Sequence, residues 1–231
     1  MALKVAVIGA GGVGRTLGAR LLLSPSKFSV KYGVRSTEAR KTRDLLAEQQ
    51  GSSAATVHEA IQWSDAAIVA LPGAHDDADM AALVETLGPC DGKVILDATN
   101  PLSPFQDGLK VRWGRDSGGE ALAKAVPEAH VVKCFNTIGM EHMADPVQNQ
   151  TGQPMTMMYA GAPEAREVTE RIVEGVGFRP RYCGPIYYAR HLEAMAELWI
   201  HASLGVGEFP PDAAWGRNWS FEVSEGSCGG D

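Results

Sequence analysis

Val5-Ala6-Val7-Ile8-Gly9-Ala10-Gly11-Gly12-Val13-Gly14 decides how the rest of the chain is read: an apolar run enters a G-x-G-x-x-G at Gly9, Gly11 and Gly14. Lys4 to Ile8 reads as a buried strand, and Leu17, Leu21 and Leu22 continue at helical spacing beyond the last glycine. Three glycines at this spacing also occur in ordinary turns. Here the strand before and the helix after carry the assignment. Gly9 allows the tight turn, Gly11 removes a side chain that would block a pyrophosphate, and Gly14 lets the helix press on the sheet. The backbone N–H groups of Ala10, Gly12 and Val13 complete a start of helix that faces an anion.

A second strand, Phe28 to Val34, ends on Arg35-Ser36-Thr37, about 20 residues past the last glycine, where the ribose-reading position falls. A carboxylate here would bind the adenosine 2′-hydroxyl of NAD and repel the 2′-phosphate of NADP. Arg35 with two hydroxyls does the opposite, so the chain is expected to prefer NADP.

The 231 residues suit one large core with an appendage. With 45% hydrophobic residues and a formal charge of -7 that lacks a long run of one sign, the chain has the make-up of a globular protein and not of a nucleic-acid surface. No apolar run approaches the ~20 residues of a membrane span, and the first strand begins too early for a secretory signal, so a cytoplasmic protein is expected. Cys90, Cys134, Cys183 and Cys228 have neither C-x-x-C nor ligand-like spacing; they read as reduced thiols, with no metal.

Strand and helix then alternate. Polar helical sequence runs from Glu38 to Gln50, a short strand lies near Thr56-Val57, and a helix begins at His58. Continuous apolar runs at Ala66–Leu71, Lys93–Ala98 and His130–Phe135 have the signature of parallel strands covered on both faces, with helices at Asp76–Leu87 and Gly119–Ala125 between them. Met155–Tyr159 is a further strand. A helix opened by Pro163 follows, with Glu167 and Arg171 paired one turn apart and Gly177 at its end. Arg179–Cys183 reads as an edge strand because Pro180 cannot donate to a ladder. The longest apolar helix runs from Ala189 to Leu204, with Glu193 and Glu197 on a face apart from Leu192, Met195, Trp199 and Ala202. The expected fold is α/β, a doubly wound parallel sheet of the Rossmann NAD(P)-binding kind. Residues 1–183 form its dinucleotide-binding domain. Residues 184–231 are a C-terminal helix and tail packed on it, not an independent domain.

Ligands of such sheets sit outside the carboxyl ends of the strands. Four ends are marked: Leu71-Pro72-Gly73-Ala74-His75, Asp97 to Leu102, Phe135 to Gly139, and Cys183 to Ile186, all expected at one crevice. Thr99, Asn100 and Pro101 form one group. The proline biases Asn100 to an extended backbone, and its amide either meets the nicotinamide carboxamide or ties the loop to itself. Asn136 has the same two readings. His75 is either a proton donor or cofactor contact, or a local cap. Lys133, inside an apolar strand, is expected to reach solvent. Met195 and Trp199 are core or dimer contacts, or a platform for a flavin-like ring. Residues 101–118, with Trp113, are a flap or a surface excursion.

No Tyr is followed four residues later by Lys, so the proton-relay pair of short-chain dehydrogenases is missing. The β-hydroxyacid dehydrogenase and pyrroline-carboxylate reductase types take their acid from a large helical second domain, which a single terminal helix and tail hardly provide. Hydride exchange between a nicotinamide and a flavin-like ring needs no obligatory protein acid.

Gly9 to Gly14, Gly33-Val34-Arg35-Ser36, Asp97 to Leu102, Val131 to Ile138, and Gly184-Pro185 followed by Ala189 to Glu193 together resemble the F420-dependent NADP oxidoreductase family. The resemblance covers about Leu3 to Leu204. The cytosolic domain of six-transmembrane ferric reductases is similar. The resemblance implies a hydride transfer between NADP and a deazaflavin such as F420 or another flavin. It places Gly9, Gly11, Val13 and Gly14 on the pyrophosphate, Arg35 and Ser36 on the 2′-phosphate, and His75, Asn100 and Asn136 around the nicotinamide. Leu71, Pro72, Thr99 and Pro101 complete the cofactor-binding set. No side chain is assigned a catalytic role. The helix from Ala189 would border the acceptor and a homodimer contact. Val34 and Asn136 depart from the Ser and His typical of the archaeal deazaflavin enzymes. A non-catalytic NADP(H) sensor, and a reductase of a small carbonyl or imine using His75 or Lys133 as acid, are the alternatives.

Overall fold

The computed structural model describes residues 1–111, 116–147 and 152–224. Trp113, Cys228 and the end of the tail lie outside the described residues. Eight strands form one sheet: β1 Leu3–Ile8, β2 Phe28–Gly33, β3 Ser53–Ala55, β4 Ala66–Val69, β5 Val94–Asp97, β6 His130–Lys133, β7 Thr156–Gly161 and β8 Arg179–Tyr182. Their order is β3-β2-β1-β4-β5-β6-β7-β8. The first six are parallel and reverse direction of winding between β1 and β4. This is the Rossmann-like α/β fold expected from the alternating pattern.

Register aligns the strand ends. Gly33 pairs with Ile8, Ile8 with Val69, Val69 with Asp97, and Asp97 with Lys133, a single row across five strands. Everything just beyond that row shares one edge.

The central strands are buried on both faces because side chains alternate across a pleat. Val5, Val7 and Ile68 join one core with Leu17 and Leu21 of α1 (Gly12–Leu23) and Ile172 and Val176 of α7 (Arg166–Val176). Ala6, Ile8 and Val69 join the other with Ile61, Leu83 and Leu122. Those residues come from α3 (Val57–Trp63), α4 (Asp77–Leu87) and α5 (Gly118–Ala125). The remaining helices are α2 (Arg40–Glu48), α6 (Met140–Ala144) and α8 (Ala189–Leu204).

Several expectations are corrected. The short third strand stops at Ala55, and Thr56 instead caps α3. Its hydroxyl accepts from the Glu59 N–H while the Glu59 carboxylate accepts from the Thr56 N–H. That is a capping box, legible as T-x-x-E. On α7 the charge pair is Arg166 with Glu170 at 3.3 Å, whereas Arg171 donates to the Lys27 carbonyl. Helix α6 had no periodic signal.

Strand β7 runs antiparallel to β6, pairing Val132 with Gly161, and β8 follows β7 in parallel. Cys183–Ile186 therefore leaves the sheet at the level of Val132, where the Gly161 N–H donates to the Gly184 carbonyl. It does not join the row of strand ends. Helix α8 brings the chain back to them.

Residues 102–111 form a small hairpin, closed by the Leu102–Val111 bridge and the Ser103 N–H to Lys110 carbonyl bond. It is held on α8 by Glu197, which accepts from the Val111 N–H, and by His201, whose Nε2 lies 3.3 Å from the Leu109 carbonyl. The segment after α8 packs back on that helix. Trp219 stacks on Trp199 with centroids 6.1 Å apart and donates to Ser203, which leaves Trp199 filled by its own chain rather than open to a bound ring.

Candidate active site

The phosphate turn is tight everywhere but one position. Gly9 stands at φ +101, and a Cβ there would lie 2.5 Å from the Ala70 carbonyl oxygen. At Gly14 a Cβ would lie 2.0 Å from the Gly9 oxygen, which shows how closely α1 presses on the strand. At Gly12 it would meet the Met140 sulfur at 2.6 Å, so α6 walls the turn from one side. Gly11 alone faces open space. It also caps α1 without a side-chain hydrogen bond, and the first turn carries no acid. A turn open at the one glycine whose missing side chain matters, at a helix start whose first N–H groups have no intrahelical acceptor, fits an anion such as a pyrophosphate. Ala10 and Val13 are half-buried against the core, and Leu71 leans over Gly9 from the end of β4.

Beyond β2, Arg35 and Ser36 are exposed, and Arg35 has no ion-pair partner among the described residues. The Ser36 carbonyl accepts from the Thr42 hydroxyl, and the Glu38 carbonyl accepts from Arg43, which fastens the turn to α2. That helix opens with Arg40, Lys41 and Arg43 and no acid in its first turn, against the usual preference of a helix start for negative charge. The ensemble is a basic corner beyond the end of β2.

At the other end, the loops after β4, β5 and β6 converge. A Cβ on Gly73 would lie 2.1 Å from the Asn100 carbonyl oxygen, so the first two loops touch. Pro72 is exposed beside that contact. The His75 N–H donates to Asp79, and the ring Nδ1 is buried without a partner. Asn136 is buried, and its Nδ2 donates to Asn100 Oδ1 at 3.1 Å and to the Leu192 carbonyl of α8 at 2.9 Å. Asn100 Nδ2 donates to the Asn136 carbonyl at 3.1 Å. The amide orientation of Asn136 follows from its two oxygen neighbours, since a flip would set oxygen against oxygen. Its Oδ1 is left buried and unpaired. Phe135, just before it, adopts φ +65, a left-handed conformation rare for an aromatic residue.

Lys133 contradicts its expectation. It is wholly buried, with Nζ 2.8 Å from Asp97 Oδ2, 2.6 Å from the Thr99 carbonyl and 2.9 Å from Glu193 Oε1. Glu193, expected on a face apart from the core, is equally buried and accepts from the N–H groups of Gly118 and Gly119 at the start of α5. Burial works to strip the Lys133 proton, yet the two carboxylates more than offset it and hold its pKa above the ordinary lysine value. Lys133 and Glu193 are thus solvent-free partners; a lysine in an apolar strand and a glutamate four residues after buried Ala189 were the only signals. Thr99 and Pro101 are buried beside them.

No helix of the described residues is long and apolar enough to cross a membrane. Residues 4–101 match the family described as NADP oxidoreductase, coenzyme F420-dependent. Among solved structures, a protein from Arthrobacter sp. FB24 proposed to be an F420-dependent NADP reductase superposes with a TM-score of 0.78 at 26% identity, covering 97% of this chain and 100% of that one. The hypothetical protein SMa0349 of Sinorhizobium meliloti gives 0.66 at 23% identity over 82% of this chain and 88% of that one. A reductive aminase from Aspergillus terreus, solved with NADPH and ethyl levulinate, shares the fold at 22% identity and a TM-score of 0.61; this chain covers 65% of it and is covered to 88%. The glycine turn and the first five strands thus lie within the stretch, residues 4–101, that is similar to that family.

Proposed function

We propose that the chain is an NADP(H)-dependent oxidoreductase that passes a hydride between NADPH and a flavin-like or deazaflavin acceptor. The observation that carries the reading is Arg35, exposed and unpaired at the position where an NAD enzyme needs a carboxylate, on the same sheet edge as the open Gly11 cradle. Gly9, Ala10, Gly11, Gly12, Val13 and Gly14 hold the pyrophosphate, and Arg35 and Ser36 the 2′-phosphate. Leu71, Pro72, His75, Thr99, Asn100, Pro101 and Asn136 border the nicotinamide. When bound, NADPH supplies the hydride, and the acceptor takes it with one proton from solvent, leaving NADP⁺.

The chain's own part is to bind, orient and keep dry. At the nicotinamide end it offers neutral amides, Asn100 and Asn136, which suits an acceptor ring able to carry its own charge. Lys133 is locked among three oxygens and cannot serve as a proton donor. This weakens the reading as a carbonyl or imine reductase, which then rests on His75 and on the fold shared with the reductive aminase. In this reading residues 1–183 bind the dinucleotide and 184–231 close the acceptor side. A homodimer forms over the outer face of α8 and the turn before it, where Leu198, Tyr187 and Tyr188 are exposed.

The test is titration with NADPH and NADH, followed by nicotinamide absorbance on adding a deazaflavin, FMN, FAD and a quinone in turn. NADPH binding with fast oxidation by a ring acceptor supports the proposal. Tight binding with no oxidation by any of them favours the sensor; oxidation only by an imine or ketone, lost in His75→Ala, favours the small-substrate reductase.

A further inference from the structure

The ion cluster behind the strand ends stands in a place where apolar residues would pack with less loss. Taking each charge out of water costs several kcal/mol, and replacing such clusters by apolar side chains is often neutral or stabilising. Its partners come from four separate elements: Asp97 from β5, Lys133 from β6, Glu193 from α8, and the Gly118 and Gly119 N–H groups from α5. All donors of the Lys133 ammonium are matched by three oxygens.

What the cluster grips is specific. Asp97 Oδ1 accepts from the Thr99 N–H at 2.9 Å, while Lys133 donates to the Thr99 carbonyl at 2.6 Å. Both polar atoms of one peptide residue are held, and the chain leaves it directly into Asn100, with Pro101 restricting the next step. On the other side, the carbonyl that receives Asn136 Nδ2 belongs to Leu192, the neighbour of Glu193. Phe135, two residues after Lys133, is held at positive φ and turns Asn136 toward that carbonyl. The cluster therefore sets the direction of both amides, and it leaves Asn136 Oδ1 as a buried acceptor with a vacant lone pair.

From this geometry we infer that Asp97, Lys133 and Glu193 are positioning residues that fix Asn100 and Asn136 as a rigid receiver for the carboxamide of a nicotinamide ring, with Asn136 Oδ1 accepting from its amino group. The inference rests on the cofactor reading above and deepens it. It assigns the cluster to the orientation of the ring, with the adenosine half of the molecule untouched by it.

The experiment compares the wild type with Glu193→Gln and with the charge-free triple variant Asp97→Asn, Lys133→Met, Glu193→Gln, which avoids leaving one buried charge alone. Circular dichroism checks the fold of each. Affinity for 2′,5′-ADP reports the adenosine half, and the fluorescence lifetime of bound NADPH reports how firmly the ring is held. The expected result is a 2′,5′-ADP affinity within about twofold of wild type, with NADPH affinity lowered roughly tenfold, the weight of one or two hydrogen bonds, and a lifetime that falls toward that of free NADPH. Variants that keep the wild-type lifetime and affinity overturn the inference while leaving the cofactor reading intact. Parallel loss of 2′,5′-ADP and NADPH binding overturns it in favour of a merely structural cluster. A wild type that binds 2′,5′-ADP and NADPH equally, with no lifetime change, removes the ring receiver; one that binds neither removes the cofactor reading itself.

Discussion

Asn136 and Asn100 are locked to each other in both directions: the side chain of Asn136 donates to the side chain of Asn100, and the side chain of Asn100 donates to the backbone of Asn136, each at 3.1 Å. Two loops from neighbouring strands are thereby fused at their tips. Replacing Asn136 by Ala removes one closure and two hydrogen bonds, to Asn100 Oδ1 and to the Leu192 carbonyl, which keeps its own place in the α8 ladder. Unfolding stability is expected to fall by about 1–3 kcal/mol, the weight of two hydrogen bonds. Urea denaturation checks this, and a loss below about 0.5 kcal/mol would mean that the crosslink is ornamental.

In the proposed reading Arg35 is what separates the two dinucleotides. Loss of a charge-assisted contact with a phosphate costs about 1.5–3 kcal/mol, so Arg35→Ala should weaken NADPH binding roughly ten- to a hundredfold. NADH binding should barely change. Equal weakening of both, measured by fluorescence titration, would place the 2′-phosphate elsewhere.

The glycines of the turn divide into two kinds. Gly14→Ala drives a Cβ to within 2.0 Å of the Gly9 oxygen, and backbone must shift to relieve it; a stability loss of about 1–3 kcal/mol is expected. Gly11→Ala meets nothing, so its stability cost should stay below about 1 kcal/mol, that of a poorer helix cap, while NADPH affinity drops roughly tenfold or more. Thermal melts with and without NADPH distinguish the folding glycine from the binding glycine.

Burial pushes the Cys134 thiol well above the ordinary cysteine range, with a backbone hydrogen bond at Phe135 opposing and nearby Cys183 adding to the rise. The folded chain therefore keeps this proton where the unfolded chain gives it up, above a pH of about 8.5. Stability is fully present below that value and falls as pH rises toward the raised folded pKa, by about 2 kcal/mol between pH 7.5 and 10. Cys134→Ala should lack that share of the alkaline loss. Chemical denaturation of both proteins at the two pH values measures the difference, and parallel curves would refute the assignment.

Much of the glycine turn was legible because its requirements are local. Gly9 needs a left-handed backbone, Gly11 an empty place and Gly14 a close approach, and a run of apolar residues on either side is enough to say so. Helix α8 was bounded at Ala189 and Leu204 by its own periodicity and by Gly205 in the left-handed region. The acceptor edge depended on distant pairings instead. Nothing near Lys133 announces Glu193, sixty residues on, and neither charge makes sense inside an apolar element until the other is brought to it. Strand direction was equally hidden: Met155–Tyr159 alternates in the same way whichever way it runs, so the reversal of β7, which carries Cys183–Ile186 away from the crevice, had no local sign.

The order of strands has a consequence for how such a chain changes over time. The residues that match the family, 4–101, supply β1 to β5, and these are contiguous in space as β3-β2-β1-β4-β5. The later strands are added along a single border, past β5, while α6 and α7 fold back onto α1. A sheet laid out this way behaves like a socket with an interchangeable adaptor. Strands exchanged beyond β6 leave the pairing of β1 to β5 as it stands, so long as the faces of α6 and α7 that rest on α1 are kept.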